Sequence, residues 1–308
     1  MSDVSNEWSN YWTDNASASG EVFVNAKGET HPEVASWWRD CFAGLGGTGS
    51  IIDLACGAGS IFQHLPTEHS YKLHGADISD EALTQLRTRF RTIETTQCPA
   101  DKLPFADHEF DVVVSQFGIE YAGMPAFHEA ARIVTHGGSL LVLSHLRNSY
   151  IDARNRAHLD AAHTILSSRF VPNADALITM VFKGHEADAR AAAGAFRESE
   201  QSLGNAVKRL PEGIHAHLYM GFKQLWERRS DYRLDDIRTW LGNMEADVHR
   251  NILRFENMCQ AARSEDEIRN FVQSLEKTGW ESAVSSEFQI SNHDKPLAWA
   301  IKAKKQRV

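Results

Sequence analysis

Residues 50–60 read SIIDLACGAGS, and few folds accept such a run. Ile51, Ile52 and Leu54 form a short apolar, β-rich segment that breaks at Cys56-Gly57-Ala58-Gly59 and resumes as an expected helix over residues 60–65. A buried strand that turns sharply through glycines into a helix is the first unit of a doubly wound α/β sheet. Glycine serves such a turn in two ways. It takes positive φ without strain, and its missing Cβ lets a ligand lie against bare backbone. Amides at the start of the following helix would then present partial positive charge to that ligand.

The segment D-L-A-C-G-A-G resembles motif I of the class I S-adenosylmethionine (SAM) dependent methyltransferases, with Ala55 where many members carry another glycine. The rival is the dinucleotide fingerprint G-x-G-x-x-G. Gly57 and Gly59 supply its first two glycines, but Phe62 stands at the third, where a large ring hinders close helix–strand packing. The resemblance implies that Asp53 orders the glycine loop near the methionine part of the cofactor, with Ala55, Gly57 and Gly59 beside it. Asp77 ends a second expected strand over residues 71–77, at the place of the ribose-binding acid in such folds, and Ile78 follows it. SAM and NAD share that feature. Ser79-Asp80-Glu81 then opens a helix with Ala82, Leu83, Leu86 and Phe90 at helical spacing.

A third short strand is expected near residues 93–98. Beyond it, Leu103-Pro104-Phe105 followed by Phe110-Asp111 resembles a stretch common in one methyltransferase group that includes quinone-biosynthesis enzymes. The family residue that hydrogen-bonds the adenine amino group aligns here with Pro99, which has no such side chain. The resemblance leaves the backbone amide of Ala100, and the carboxylate of Asp101, to meet the adenine. Strand four is expected over residues 111–115. Gln116 and Phe117 follow its carboxyl end, where open α/β sheets bind ligands, so they project toward cofactor and methyl acceptor. Glu120 and Tyr121 are further candidate substrate contacts. A helix over residues 125–134, a turn at His136-Gly137-Gly138 and a fifth strand over 139–144 lead to His145.

The flanking regions divide the chain further. Residues 1–49 are aromatic, with Trp8, Tyr11 and Trp12 close together and a helix expected from Pro32 to about residue 42. They either fold over the cofactor as a lid, as in methyltransferases resembling this one, or pack the segment onto the core; Tyr11 is the expected cofactor contact. Residues 50–146 make the SAM-binding core. Residues 147–263 leave the strand–helix alternation for amphipathic helices, expected over 157–170, 187–207, 214–228 and 234–262. Breaks are expected near Pro172, Gly184, Gly204 and Pro211-Glu212-Gly213. Such an insertion should cap the acceptor site and exclude water. Residues 264–308 complete the sheet: a capping box, Ser264 to Glu267, a helix ended by Gly279, and two strands over 282–290 and 296–302. The expected fold is therefore a Rossmann-like, doubly wound, seven-stranded sheet with an antiparallel C-terminal hairpin and a helical insertion between strands 5 and 6. A plain dinucleotide domain would more often end in a parallel sixth strand.

Composition narrows the function. The 308 residues carry a net charge of −9, which argues against general binding to nucleic-acid phosphates. The only basic run, Lys302, Lys304, Lys305 and Arg307, reads as a solvated end after the last strand. Cys41, Cys56, Cys98 and Cys259 are scattered with no C-x-x-C, so neither a zinc nor a disulfide framework is indicated. With no leader and no membrane-length apolar run, the expected location is cytoplasmic, with no membrane partner. His215-Ala216-His217 would point to different faces of one helix, and no metal set is evident.

The expected function is a SAM-dependent methyltransferase acting on a small-molecule acceptor and releasing S-adenosylhomocysteine. A protein or tRNA methyltransferase, a nicotinamide-dependent oxidoreductase and a non-catalytic nucleotide sensor are the alternatives. Methyl transfer is an in-line displacement that neutralises charge, so it gains most from alignment and removal of water. A base is needed only when the acceptor carries a proton that must leave. His145, at the productive end of the sheet, is the candidate for that base, against the alternative that it only hydrogen-bonds at a strand end.

Overall fold

A computed structural model describes Trp8, Trp12, Thr13 and residues 30–307. Tyr11 lies outside the described residues. The chain divides into two compact units, one of Met1–Asp152 with Gln260–Val308 and the other of Ala153–Cys259.

The first unit holds a seven-stranded sheet in the order β3-β2-β1-β4-β5-β7-β6. Its strands are β1 (Thr48–Leu54), β2 (Ser70–Asp77), β3 (Glu94–Gln97), β4 (Phe110–Gln116), β5 (Val134–His145), β6 (Trp280–Phe288) and β7 (Ala298–Lys305). Strands β1 to β5 pair in parallel, and β7 runs antiparallel between β5 and β6. The sheet is buried on both faces, and the residues alternate accordingly. Ile52 and Leu54, Val113, Leu140 and Val142, and Trp299 and Ile301 face one core. Their neighbours Ile51, Val112 and Val114, Leu141 and Leu143, and Ala298 and Ala300 face the other.

Helices close each face with apolar stripes. On the second face lie α1 (Pro32–Ala43), through Val34, Trp38 and Phe42, and α2 (Asp80–Arg89), through Leu83 and Leu86. On the first lie α3 (Met124–Arg132), through Phe127 and Ala130, and α9 (Glu265–Glu276), through Ile268, Phe271 and Leu275. Their starts follow the local chemistry. Pro32 opens α1, the Ser79 hydroxyl accepts the Ala82 amide at α2, and Ser264 and Glu267 form a reciprocal capping box at α9.

The second unit is helical. Its elements are α4 (Tyr150–Ser167) and α8 (Leu234–Ala261), which straddle its ends, and α5 (Phe170–Phe182), α6 (Glu186–Arg209) and α7 (Ile214–Glu227) between them. Among the described residues no helix is long and apolar enough to cross a membrane.

Four local expectations are corrected. The stretch after Gly59 is a single 3-10 turn, Ile61–His64, rather than a full helix. Pro172, expected as a break, sits in the first turn of α5, where its missing N–H has no intrahelical partner to lose. Gly204 lies inside α6, where its bare Cα admits the ring of Tyr219 from α7. The basic run does not follow the last strand: Lys302, Lys304 and Lys305 belong to β7, and while Lys302 and Arg307 are exposed as expected, Lys305 is buried with its ammonium donating to the carbonyls of Val134 and Ala131.

Candidate active site at the carboxyl ends of the strands

A cavity of about 280 Å³ opens where β1, β2 and β4 end. The carboxyl ends of parallel strands collect ligands because loops there can diverge from a rigid sheet. Asp53, Ala55, Gly57, Asp77, Ile78, Ala100, Asp101, Gln116, Phe117 and Tyr121 all line it. Gly59, Glu120 and His145, the other described candidates, do not.

The loop after β1 is tied to β2. The Cys56 amide donates to the Ala76 carbonyl at 3.1 Å, and the Gly57 amide donates to Asp77 Oδ2 at 2.8 Å. The Ser79 amide donates to the other oxygen, Oδ1, at 2.9 Å. Asp77 thus spans glycine loop and helix cap while lining the cavity. Burial pushes its carboxyl up from the ordinary carboxylate value, against the amides of Ser79, Gly57 and Ile78, which hold it down. The Gly57 amide consequently faces the acid rather than the open cavity.

Gly57 and Gly59 differ in what they admit. A Cβ on Gly57 would stand 2.4 Å from the Trp12 ring, so the bare backbone there receives an aromatic from the N-terminal segment. A Cβ on Gly59 would stand 2.3 Å from Leu86 of α2, so that glycine permits helix packing. Ala55 adopts φ 52° and Phe117 also φ 52°, the left-handed region that side chains disfavour. Gly118 makes Ala55 possible: its own Cβ would come within 2.6 Å of the Ala55 methyl.

At the end of β4 the Trp38 indole N–H donates to Gln116 Oε1, which orients that amide. The following 3-10 turn, Ile119–Ala122, splits its side chains. Tyr121 lines the cavity, with Trp8 edge-on at 4.9 Å. Glu120 turns inward, fully buried, and its Oε1 accepts both the backbone N–H of His145 and the His145 ring at Nδ1, each at 2.7 Å. His145 lies behind the cavity wall, its ring 4.9 Å from Phe117 and 5.6 Å from Tyr121. Among the described residues its Nε2 has no hydrogen-bond partner.

The segment with Leu103-Pro104-Phe105 is clamped to α3. Glu129 accepts the Leu103 amide, and Arg132 donates to the carbonyls of Leu103 and Phe105, to Asp107 and to Glu129. This holds Ala100 and Asp101 at the cavity rim. Trp8 and Trp12 were not singled out from the sequence as site residues. Their spacing of four, which puts two aromatics on one helical face, was the available signal. Cys98, another unforeseen lining residue, has its thiol pushed up to about 11 by burial and by the nearby Asp77. No group of three metal-ligating side chains occurs among the described residues.

Sheet order, the antiparallel β7 and the acid-linked glycine loop give the Rossmann-like sheet expected from the sequence, with a cavity at its strand ends. Residues 52–142 match the family described as Methyltransferase domain. Over 98 residues the chain is 33% identical to a demethylmenaquinone methyltransferase of Chlorobaculum parvum (strain DSM 263 / NCIMB 8327), covering 30% of this chain and 39% of that protein. Over 140 residues it is 32% identical to a ubiquinone/menaquinone biosynthesis C-methyltransferase UbiE of Azotobacter vinelandii, covering 42% of this chain and 53% of that protein. The chain thus spans about half or less of the length of these relatives. A solved structure of a putative S-adenosyl-L-methionine-dependent methyltransferase from Methanococcus maripaludis aligns at 12% identity and TM-score 0.42, over 99% of this chain and 94% of that one.

Proposed function

We propose that the protein binds SAM in this cavity and transfers its methyl group to a small-molecule acceptor. The observation that carries the reading is the Asp77 carboxylate, buried at the cavity wall and bonded to the Gly57 amide. A carboxylate accepts up to about four hydrogen bonds, so Asp77 can still take ribose hydroxyls while holding the loop. Asp53 and the strained Ala55 backbone border the methionine part, and Ala100 and Asp101 border the adenine. Trp8 and Trp12 support a lid role for the N-terminal segment, since both line the cavity. The names of the two quinone-pathway relatives support a small acceptor.

When bound, SAM supplies a methyl group on a positively charged sulfur. The chain's part is to hold the reactants in line and keep water out; Phe117, Tyr121 and Trp8 form an aromatic wall suited to both. His145, the candidate base where the acceptor carries a proton, lies behind the Phe117 and Tyr121 rings and does not line the cavity, so its reach to the acceptor is what His145→Ala tests. Glu120 then acts on His145 as a positioning group rather than as a substrate contact.

Calorimetry with SAM, S-adenosylhomocysteine and NAD tests the cofactor assignment. SAM and its product should bind and NAD should not. Asp77→Asn should weaken SAM by about tenfold or more, because an amide cannot accept the Gly57 and Ser79 amides together with ribose hydroxyls. NAD binding, or SAM binding indifferent to Asp77→Asn, would overturn the reading.

A further inference from the structure

The helical unit holds a cavity of its own. About 220 Å³ opens between α5, α6 and α7, all within Ala153–Cys259. Phe170, Phe196 and Phe222 form its floor, a triangle of rings with centroids 5.1 to 5.7 Å apart. Tyr219 and Trp226 extend that wall. Both are braced from behind. Gly204 lets Tyr219 approach α6, and Arg229 lies over the Trp226 ring at 4.9 Å while donating to its carbonyl. Besides the rings, the apolar lining is completed by Leu177 of α5 and the methyl of Ala193 of α6, and at Ala193 the space is left open where a longer side chain would fill it.

The rim is charged. Arg197, Lys223 and Glu200 line it, all exposed. Among the described residues neither cation has a carboxylate within ion-pair distance, although at least six of the twelve arginines of this unit have one. An apolar floor larger than the roughly 150 Å³ that suffices to hold benzene, beneath two unpaired cations and one anion, is complementary to one kind of small molecule.

We propose that this cavity binds a small amphipathic anion: an apolar chain carrying a single carboxylate, its chain among the five rings and its head between Arg197 and Lys223. A neutral apolar molecule would satisfy the rings and leave the cations idle. A multiply charged metabolite would meet too few polar groups below the rim. The site is independent of the methyl-transfer reading and can fail or stand without it.

The test is calorimetry on the full chain with decanoate and with decanol, in the presence and absence of S-adenosylhomocysteine. Decanoate should bind saturably, more tightly than decanol, and unchanged by S-adenosylhomocysteine. Ala193→Phe should weaken both by tenfold or more with the melting temperature retained. Arg197→Ala with Lys223→Ala, both surface changes, should weaken decanoate by about tenfold and leave decanol unaffected, as exposed pairs contribute up to about fivefold each. Absence of saturable binding, displacement by S-adenosylhomocysteine, or indifference of decanoate to the double charge removal would overturn the proposal.

Discussion

Ala55 and Gly118 show how a single methyl is accommodated at a ligand loop. Ala55 holds φ 52°, which costs a side-chain-bearing residue roughly 1–2 kcal/mol. Glycine there would relieve that strain and lose about 0.4–1 kcal/mol to the freer unfolded chain. Ala55→Gly is therefore expected to stabilise the fold by about 0.5 kcal/mol, read from the urea midpoint. Gly118→Ala should destabilise by about 1–3 kcal/mol, since its methyl meets the Ala55 methyl at 2.6 Å and the Ala55 carbonyl at 2.9 Å. In the double variant the methyl clash disappears and the carbonyl clash remains, so the two changes should couple by at least about 0.5 kcal/mol. Strict additivity would refute the contact. His145 gives the functional counterpart: His145→Ala should leave SAM affinity intact, and turnover at the parent level would remove it from the mechanism.

At the scale of elements, the join between the Leu103-Pro104-Phe105 segment and α3 depends on one side chain. Arg132 bridges two backbone carbonyls and two carboxylates, and the guanidinium holds Glu129 below the usual carboxylate range. Removing it strands the Leu103 and Phe105 carbonyls and leaves Glu129 with only the Leu103 amide. Arg132→Ala is expected to cost about 2 kcal/mol. It should also raise amide hydrogen exchange over residues 99–107 more than in β4; uniform change across both would place the effect elsewhere. The same element explains a success of pattern reading. The proline-centred segment and the following Phe-Asp pair were legible because turn chemistry is local. Helix α5 was not, because Pro172 signals a break only if its neighbours leave it outside the first turn.

For the molecule as a whole, acid is the informative perturbation. Burial, with Arg39 nearby, lowers His64 to about 4, below its ordinary value of 6.5. Burial also lowers His74, His158 and His215. A histidine depressed in the folded state binds its proton more tightly when unfolded. Its stabilising contribution is complete above about pH 6.5 and is lost as pH falls toward the folded value. For His64 the separation amounts to roughly 3 kcal/mol across that window. Urea midpoints at pH 7 and 4.5 should therefore diverge steeply. They should diverge less in His64→Leu, which keeps a buried apolar side chain at that place. An unchanged slope would show that His64 is not held neutral by the fold.

Sequence alone determined the features that depend on short windows: the glycine turn after an apolar strand, the acid closing the second strand, and the caps at Ser79 and Ser264. Each is set by backbone conformations and periodicities within a few residues, and these act wherever the segment lies. Tertiary structure decided what those residues face. It gave Gly57 to the Trp12 ring and Gly59 to Leu86, turned Glu120 away from the cavity onto His145, and buried Lys305 with its ammonium on the Val134 carbonyl. The physical reason is that a polar or bare position is completed by its partner, and here the partners come from 25 to 171 residues away in the chain.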